Sequence, residues 1–160
     1  MSVYAAVGGS LQQVGGNCPN GWIVMQGERP TPEHVAHGDG SWVVPEPDYP
    51  AIIATRRWQA EVAGITVNGM QVDTGRDSQA LITGAAVSAM LDPGYSVRWK
   101  TAVGFVDLNA EQIIGLASTV RAYVQACFDR EAELLAALDN GTLTEEALAA
   151  FWPMPAEEDV

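Results

Sequence analysis

Apolar residues recur at helical spacing along the last third of the chain. From Asn109 to Leu138 they fall every three or four positions, a pattern that predicts one long amphipathic helix. Asn109 and Gln112 have the spacing of a capping box at its start. A strict seven-residue repeat, typical of a coiled-coil seam, runs through Ile113, Val120, Cys127 and Leu134. Glu131 interrupts that seam, and the apolar stripe is wider than a seam needs, so packing within the domain is favoured over an oligomeric coil.

A β-hairpin is the strongest local signal in the middle of the chain. Ile65–Val67 and Met70–Val72 flank the dipeptide Asn68-Gly69. That dipeptide is preferred in a two-residue type I′ turn, because both of its positions need positive φ. A second pair of strands is predicted at residues 97–101 and 105–108.

Two helices are predicted beside these hairpins. Residues 51–63 have an amphipathic pattern that Gly64 can end in a left-handed conformation. The residues between the apolar positions of this helix are Arg56, Arg57 and Glu61. Residues 79–91 are rich in Ala and other small residues, and Asp77 or Ser78 is the predicted N-terminal cap.

The first part of the chain has short apolar runs instead of long periodic ones. Short β-like runs at residues 3–7, 22–25 and 41–44 are separated by Gly-rich turns, and prolines follow. Near the other end, Thr144 can cap a short helix that runs to Trp152 and stops at Pro153. The predicted organisation is a loop-rich N-terminal β segment (1–45), a Pro-rich linker (46–50), an α+β core domain (51–141), and a short helix with an acidic tail (142–160). The predicted fold class is α+β, with a small antiparallel sheet of hairpins packed by two to three helices, one of them long and C-terminal.

Charge narrows the range of partners. The chain has 160 residues, with 8 Lys plus Arg against 20 Asp plus Glu, and a formal net charge of -12. That charge repels phosphates and anionic headgroups, so neither nucleic acid nor a membrane surface is an expected partner. No signal peptide is evident at the N-terminus, and the longest nearly apolar run, residues 80–91, is too short to span a bilayer. We therefore expect residence in the cytoplasm.

Few residues suggest catalysis or metal binding. Asp73-Thr-Gly75 resembles the acid loop of aspartic proteases, but no second copy supplies the partner carboxylate, so a turn at the hairpin exit is the preferred interpretation. His34, His37 and Asp39 lie on a Gly-rich turn and are interpreted as exposed loop residues. The two cysteines form no disulfide framework: Cys127 is expected to be buried and Cys18 to be a loop thiol. No catalytic, cofactor-binding or metal-binding residue is predicted, and the protein is not expected to be an enzyme.

The tryptophans are the candidate contact residues for a partner. Trp22 and Trp42 lie where little core is available to cover them, and aromatic side chains dominate interface energetics. An equally weighted alternative is that both form the small core of the N-terminal segment. Trp152 is a candidate anchor onto either the domain or a partner. Trp58 and Trp99 are expected to be buried where helices meet the sheet.

Several segments between Trp58 and Leu138 resemble a domain of unknown function found in small phage tail proteins, many of them encoded beside the tail-fibre gene. These segments are Trp58–Met70, Asp73-Thr-Gly-Arg-Asp-Ser-Gln, Val97-Arg-Trp-Lys-Thr, Phe105–Gln112 and Cys127-Phe-Asp-Arg-Glu. More loosely, residues 25–42 resemble the opening segments of phage tail-fibre assembly proteins.

The resemblance implies a tail-fibre assembly protein, that is, a chaperone without cofactor or catalysis. It would bind the fibre polypeptide in the host cytoplasm and assist its folding or trimerisation. The alternative is a structural component of the tail, fibre or baseplate that is retained in the virion. In either case the resemblance implies an oligomer with or on a trimeric fibre.

Overall fold

The structure of the protein, a computed structural model, describes residues 1–150, 152 and 153. The fold class is α+β, as predicted, with small antiparallel sheets and a long C-terminal helix. The chain divides into two compact units, the first ending at Asp48 and the second beginning at Tyr49.

The first unit is built from five short strands. They are β1 (Val3–Ala5), β2 (Gln12–Val14), β3 (Ile23–Met25), β4 (Val35–Ala36) and β5 (Trp42–Val43). Strands β2, β1 and β3 form one antiparallel sheet in that order, and β4 pairs with β5. Their small core consists of Val3, Ala5, Met25 and Ala36, with Ile23 and Trp42 packed against it. The sequence pattern missed β2 and β4, since a partly polar run and a two-residue strand give no clear alternation.

The second unit contains four helices and two hairpins. The helices are α1 (Tyr49–Glu61), α2 (Arg76–Leu91), α3 (Ala110–Asp139) and α4 (Glu145–Ala149). The hairpins pair β6 (Ile65–Val67) with β7 (Met70–Val72), and β8 (Ser96–Thr101) with β9 (Gly104–Asn109).

Local signals in this unit have the expected geometry. Asn68 and Gly69 both have positive φ, 49° and 74°, as a type I′ turn requires. Gly64 has the predicted left-handed conformation, with φ 83°, and Asn109 and Gln112 form a complete reciprocal capping box at the start of α3. The hairpin and the capping box are therefore confirmed. The predicted helix end at Gly64 was wrong, because α1 ends at Glu61 and the N–H of Gly64 donates to Thr74 Oγ1 at 2.9 Å instead of to a helix carbonyl.

Helix α3 is the centre of the second unit. Ile113, Val120, Cys127 and Leu134 are all buried against other parts of the same unit. Their neighbours come from α1, α2 and the hairpins, so packing within the domain accounts for the seven-residue repeat. At the far end of α3, Leu134 packs with Ile53 of α1 and Leu148 of α4.

Several predicted boundaries were wrong. Helix α1 starts at Tyr49 and includes Pro50, because proline is tolerated in a first helical turn. Helix α2 starts at Arg76 after Gly75, and no side chain caps it, so Asp77 and Ser78 are not its caps.

The C-terminal helix is also shorter than predicted. Thr144 caps α4, but the helix ends at Ala149, so Trp152 lies beyond it. The acidic tail predicted at residues 156–160 lies outside the described residues.

The predicted burial of Trp58 was wrong as well. Its side chain is 52 % exposed, because the side of α1 that meets α3 carries Ile53, Arg57 and Glu61 at four-residue spacing. An ion pair occupies the buried face that the apolar pattern assigned to tryptophan. Trp99 is half-buried and packs against the main core.

Candidate functional site

A groove opens in the second unit between α2 and the two hairpins. Its volume is about 820 Å³. Leu81 and Ala85 of α2 line one side, Val72 lies at the end of β7, and residues 97–102 of β8 and its turn form another wall. Apolar side chains supply most of the surface of this lining.

The outer edge of β8, and not one of its faces, borders the groove. Successive side chains of a strand point to opposite faces, yet every residue from Val97 to Ala102 lines the groove. Thr101 and Gly104 flank a two-residue turn, so Thr101 exchanges main-chain hydrogen bonds with β9. Alternation along the antiparallel ladder then directs the N–H and C=O groups of Arg98 and Lys100 away from β9.

These outward main-chain groups have no strand partner. Strand β8 pairs with β9 alone, and no backbone hydrogen bond from another described element reaches Arg98 or Lys100. The register of the first hairpin similarly places the main-chain groups of Gln71 on the outer edge of β7, which also borders the groove. Unpaired strand edges are ready templates for an additional strand.

Helix α2 presents an uncharged exposed face next to the groove. No Asp, Glu, Lys or Arg occurs from Gln79 to Leu91. Exposed helix faces of soluble domains normally carry charged residues. Here the exposed side chains include Leu81 (66 %), Val87 (51 %), Met90 (72 %) and Leu91 (82 %). Leu81 connects this face to the groove, which it also lines.

Two cations border the groove in an otherwise acidic protein. Lys100 is the only lysine of the chain. Arg98 pairs across the hairpin with Asp107 at 3.2 Å, and both side chains are more than 70 % exposed. Solvent screens such a pair, so it contributes little to stability and leaves the guanidinium accessible to another anion.

A buried ion-pair cluster joins α1, α2 and α3. The carboxylate of Glu61, 2 % exposed, accepts a hydrogen bond from Arg57 Nη1 and lies 3.4 Å from Arg76 Nε. Arg57 Nε also donates to Glu131 Oε2 at 3.1 Å, and its guanidinium lies 4.6 Å from the ring centre of Phe128. The sequence pattern placed Arg57 and Glu61 on the polar face of α1, and it did not predict that they are buried. Their four-residue spacing was the one signal that could have indicated an ion pair.

The Asp73-Thr74-Gly75 segment serves as the exit from the first hairpin. Thr74 is fully buried; its hydroxyl donates to the carbonyl of Glu61 at 2.6 Å and accepts from the N–H of Gly64 at 2.9 Å. Asp73 accepts from Ser78 Oγ at 2.5 Å and from the N–H of Gly75 at 2.9 Å. These hydrogen bonds, that of Ser78 first, lower the pKa of Asp73.

The candidate tryptophans have different surroundings. Trp22 is half-buried in the first unit. Trp42 packs against the core of that unit and donates from Nε1 to the carbonyl of Gly27 at 2.8 Å. Trp152 packs against the cluster of Ile53 and its neighbours in the second unit. Trp42 and Trp152 thus have contacts within the chain, and Trp22 retains the most freedom to contact a partner.

The remaining reactive groups are either buried or held in turns. Burial raises the pKa of the Cys127 thiol, and Cys18 is exposed. His34 Nδ1 bonds Thr31 at 2.8 Å, whereas His37 Nδ1 lies 3.0 Å from Asp39.

No group of three or more His, Cys, Asp or Glu side chains within residues 1–150, 152 and 153 is placed to hold a metal ion. In the same part of the chain, no helix is both long and apolar enough to cross a membrane.

Together these features define a helix-and-hairpin α+β domain with an open groove beside a strand edge. The chain belongs to the family described as Domain of unknown function (DUF4376), which matches residues 48–151. That match includes the second unit's helices and hairpins and every residue that borders the groove. No curated protein and no solved structure matches the chain.

Proposed function

We propose that the chain is a non-catalytic protein-binding protein that acts in phage tail-fibre assembly. It binds the fibre polypeptide in the host cytoplasm and assists its folding or trimerisation. The phage assignment rests on the sequence resemblance of residues 58–138. The observation that carries the binding role is the uncharged, exposed face of α2 beside the groove.

The energetics of this face suit a binding surface. Full burial of one large aliphatic side chain contributes about 1.5–3 kcal/mol, so covering the exposed fractions of the four apolar residues contributes about 5 kcal/mol. The cost of association offsets part of this gain, so main-chain and polar contacts must add to it. Large exposed apolar patches on soluble proteins commonly mark such interaction sites.

Co-expression with the neighbouring fibre gene tests the proposal. We expect a higher yield of soluble, trimeric fibre in the presence of this chain, measured by size exclusion with light scattering. Met90→Glu should abolish the gain, because it places a charge on the uncharged exposed face of α2. Leu11→Glu, at a similarly exposed apolar residue of the first unit, is the matched control and should retain it.

Trp22 can be tested in the same assay. Trp22→Ala should weaken fibre binding by up to about 2 kcal/mol if its ring is an interface anchor. Trp42→Ala is unsuitable for this purpose, because the ring contributes to the core of the first unit.

Two results would contradict the chaperone role. If fibres trimerise equally well without this protein, they need no chaperone, and the proposed role in their assembly is wrong. Stoichiometric recovery of the chain from purified virions would favour the alternative, a structural component of the tail, fibre or baseplate.

A further inference from the structure

We propose that the groove binds an extended, acidic segment of a partner protein, which pairs as an additional strand with the outer edge of β8. This inference deepens the proposed function by naming how the partner is held, and it does not depend on the partner being a tail fibre. Four features of the groove support it.

The first feature is the hydrogen-bonding capacity of the edge. The outward N–H and C=O groups of Arg98 and Lys100 lie in the groove and pair with no strand among residues 1–150, 152 and 153. An added strand would pair with them, and main-chain bonds of this kind supply affinity in other cases of strand addition. The six residues of β8 span about 20 Å, which matches a segment of about six residues.

The second feature is the room available for side chains. Leu81, Gly84, Ala85 and Ser88 of α2 line the groove opposite the edge. Three of these residues are small, and a side-chain carbon added at Gly84 would meet no atom within 4 Å. Every second side chain of an added strand can therefore point towards α2, where apolar residues suit the lining.

The third feature is charge. Ser96, Arg98 and Lys100 occupy the exposed face of β8. The side chains of an added strand on that face would lie beside two cations, so acidic residues are favoured by cross-strand pairing. The expected segment thus alternates apolar with acidic residues.

The fourth feature excludes a second copy of this chain. Antiparallel pairing of β8 with its symmetry mate would bring the cations of two copies together, which is destabilising. Charged residues on edge strands commonly prevent such self-association. The cations at this edge therefore select a partner of opposite charge.

A synthetic peptide tests the proposal with the full-length protein. The probe alternates Val and Glu over about six residues, and its controls are the same peptide with Lys for Glu and with N-methylated backbone amides on the pairing side. We expect the Val-Glu peptide to shift the amide resonances of Arg98 and Lys100 in ¹⁵N-resolved spectra. N-methylation should weaken binding at least about tenfold, since it removes the main-chain bonds and keeps the side chains.

Matched glycine variants locate the site. Gly84→Leu should fill the groove and abolish binding, whereas Gly115→Leu should leave binding unchanged. Both glycines are exposed helical residues with open space around them, but only Gly84 lines the groove. Circular dichroism should show that both variants are folded, since leucine is a better helix former than glycine.

A charge exchange tests the selectivity for acidic segments. The Arg98→Glu/Lys100→Glu variant should no longer bind the Val-Glu peptide and should bind the Val-Lys peptide instead. Because Lys100 is the only lysine, carbodiimide coupling of the Val-Glu peptide should also modify this residue in wild type.

Several outcomes would overturn the inference. The amide resonances of Arg98 and Lys100 would not shift at millimolar Val-Glu peptide, the N-methylated peptide would bind as tightly as the unmodified one, or the Gly84→Leu variant would still bind the Val-Glu peptide. In those cases the charged edge serves only to prevent self-association. If the peptide does not bind but co-expression still raises the yield of trimeric fibre, only strand addition is refuted. If the peptide binds but co-expression has no effect, only the fibre as the partner is refuted.

Discussion

The buried ion-pair cluster provides the sharpest test of how the second unit is stabilised. Arg57→Met removes the guanidinium that joins Glu61 to Glu131 while keeping a long apolar side chain in its place. Arg57 is only 14 % exposed, so its removal leaves two carboxylates in a largely buried position. We expect a large loss of stability.

The magnitude follows from the geometry. Removal of one partner of a buried pair costs about 3–5 kcal/mol, because the remaining charge is buried without compensation. Arg76 Nε, 3.4 Å from Glu61, still supports that carboxylate, so the lower part of the range applies. Loss of the contact between the guanidinium and the Phe128 ring adds about 0.5–1 kcal/mol. The expected total is about 3–4 kcal/mol, a large share of the 5–15 kcal/mol typical of a domain.

Urea denaturation followed by circular dichroism measures the effect. The matched control is Arg98→Met, which breaks an exposed pair and should cost less than about 1 kcal/mol. The double variant Arg57→Met/Glu61→Met should recover part of the loss, since apolar replacement of a buried pair is often neutral. An Arg57→Met cost no larger than that of the control would refute the reasoning, and so would a double variant less stable than the single one.

Three further predictions concern the hairpin, the turn and the C-terminal helix. Gly69→Val should lower the free energy of unfolding by about 1–3 kcal/mol, because a β-branched residue is forced to a φ of 74°; an unchanged urea midpoint would contradict the type I′ turn. Asp73→Asn should cost less than about 1 kcal/mol, since the carboxylate is exposed. The pKa of Asp73 is lowered in the folded state, so the stability cost of Asp73→Asn is fully present above the ordinary pKa of 3.8 and disappears as the pH falls through the folded-state pKa. A cost that does not change with pH would exclude the carboxylate as its source. Leu148→Ala should cost about 2–4 kcal/mol, because it opens a cavity beside Ile53 and Leu134; a cost under about 1 kcal/mol in a thermal melt would mean that α4 does not stabilise the unit.

Local rules predicted the elements of the second unit well. The Asn68-Gly69 turn, the Asn109 capping box and the Thr144 cap are each determined by two or three neighbouring residues, so a sequence pattern suffices. The periodicity of α3 likewise predicted its buried face, which is lined by Ile113 and Val120. These features depend on short stretches of chain.

Features that depend on contacts between distant residues were harder to predict. The polar pattern of α1 placed Arg57 and Glu61 towards solvent, yet Glu131, far along the chain, turns that face into a buried pairing surface. The start of α2 was predicted too late because the two predicted caps, Asp77 and Ser78, lie inside the helix, and the Ser78 hydroxyl donates to Asp73 instead of capping it. Trp58 is exposed for the same reason: the charged cluster takes the face that the tryptophan was expected to fill.

The groove shows most clearly what a linear pattern omits. The residues 97–101 were predicted as a strand with a partner at 105–108, but no local signal says that the opposite edge of that strand stays unpaired. That property arises because the two hairpins do not join into one sheet and α2 lies beside the space between them. The uncharged run from Gln79 to Leu91 was visible as composition suited to close packing. Only the fold shows that Val87, Met90 and Leu91 face solvent, so a run whose small residues suit close packing also supplies the exposed surface on which the binding proposal rests.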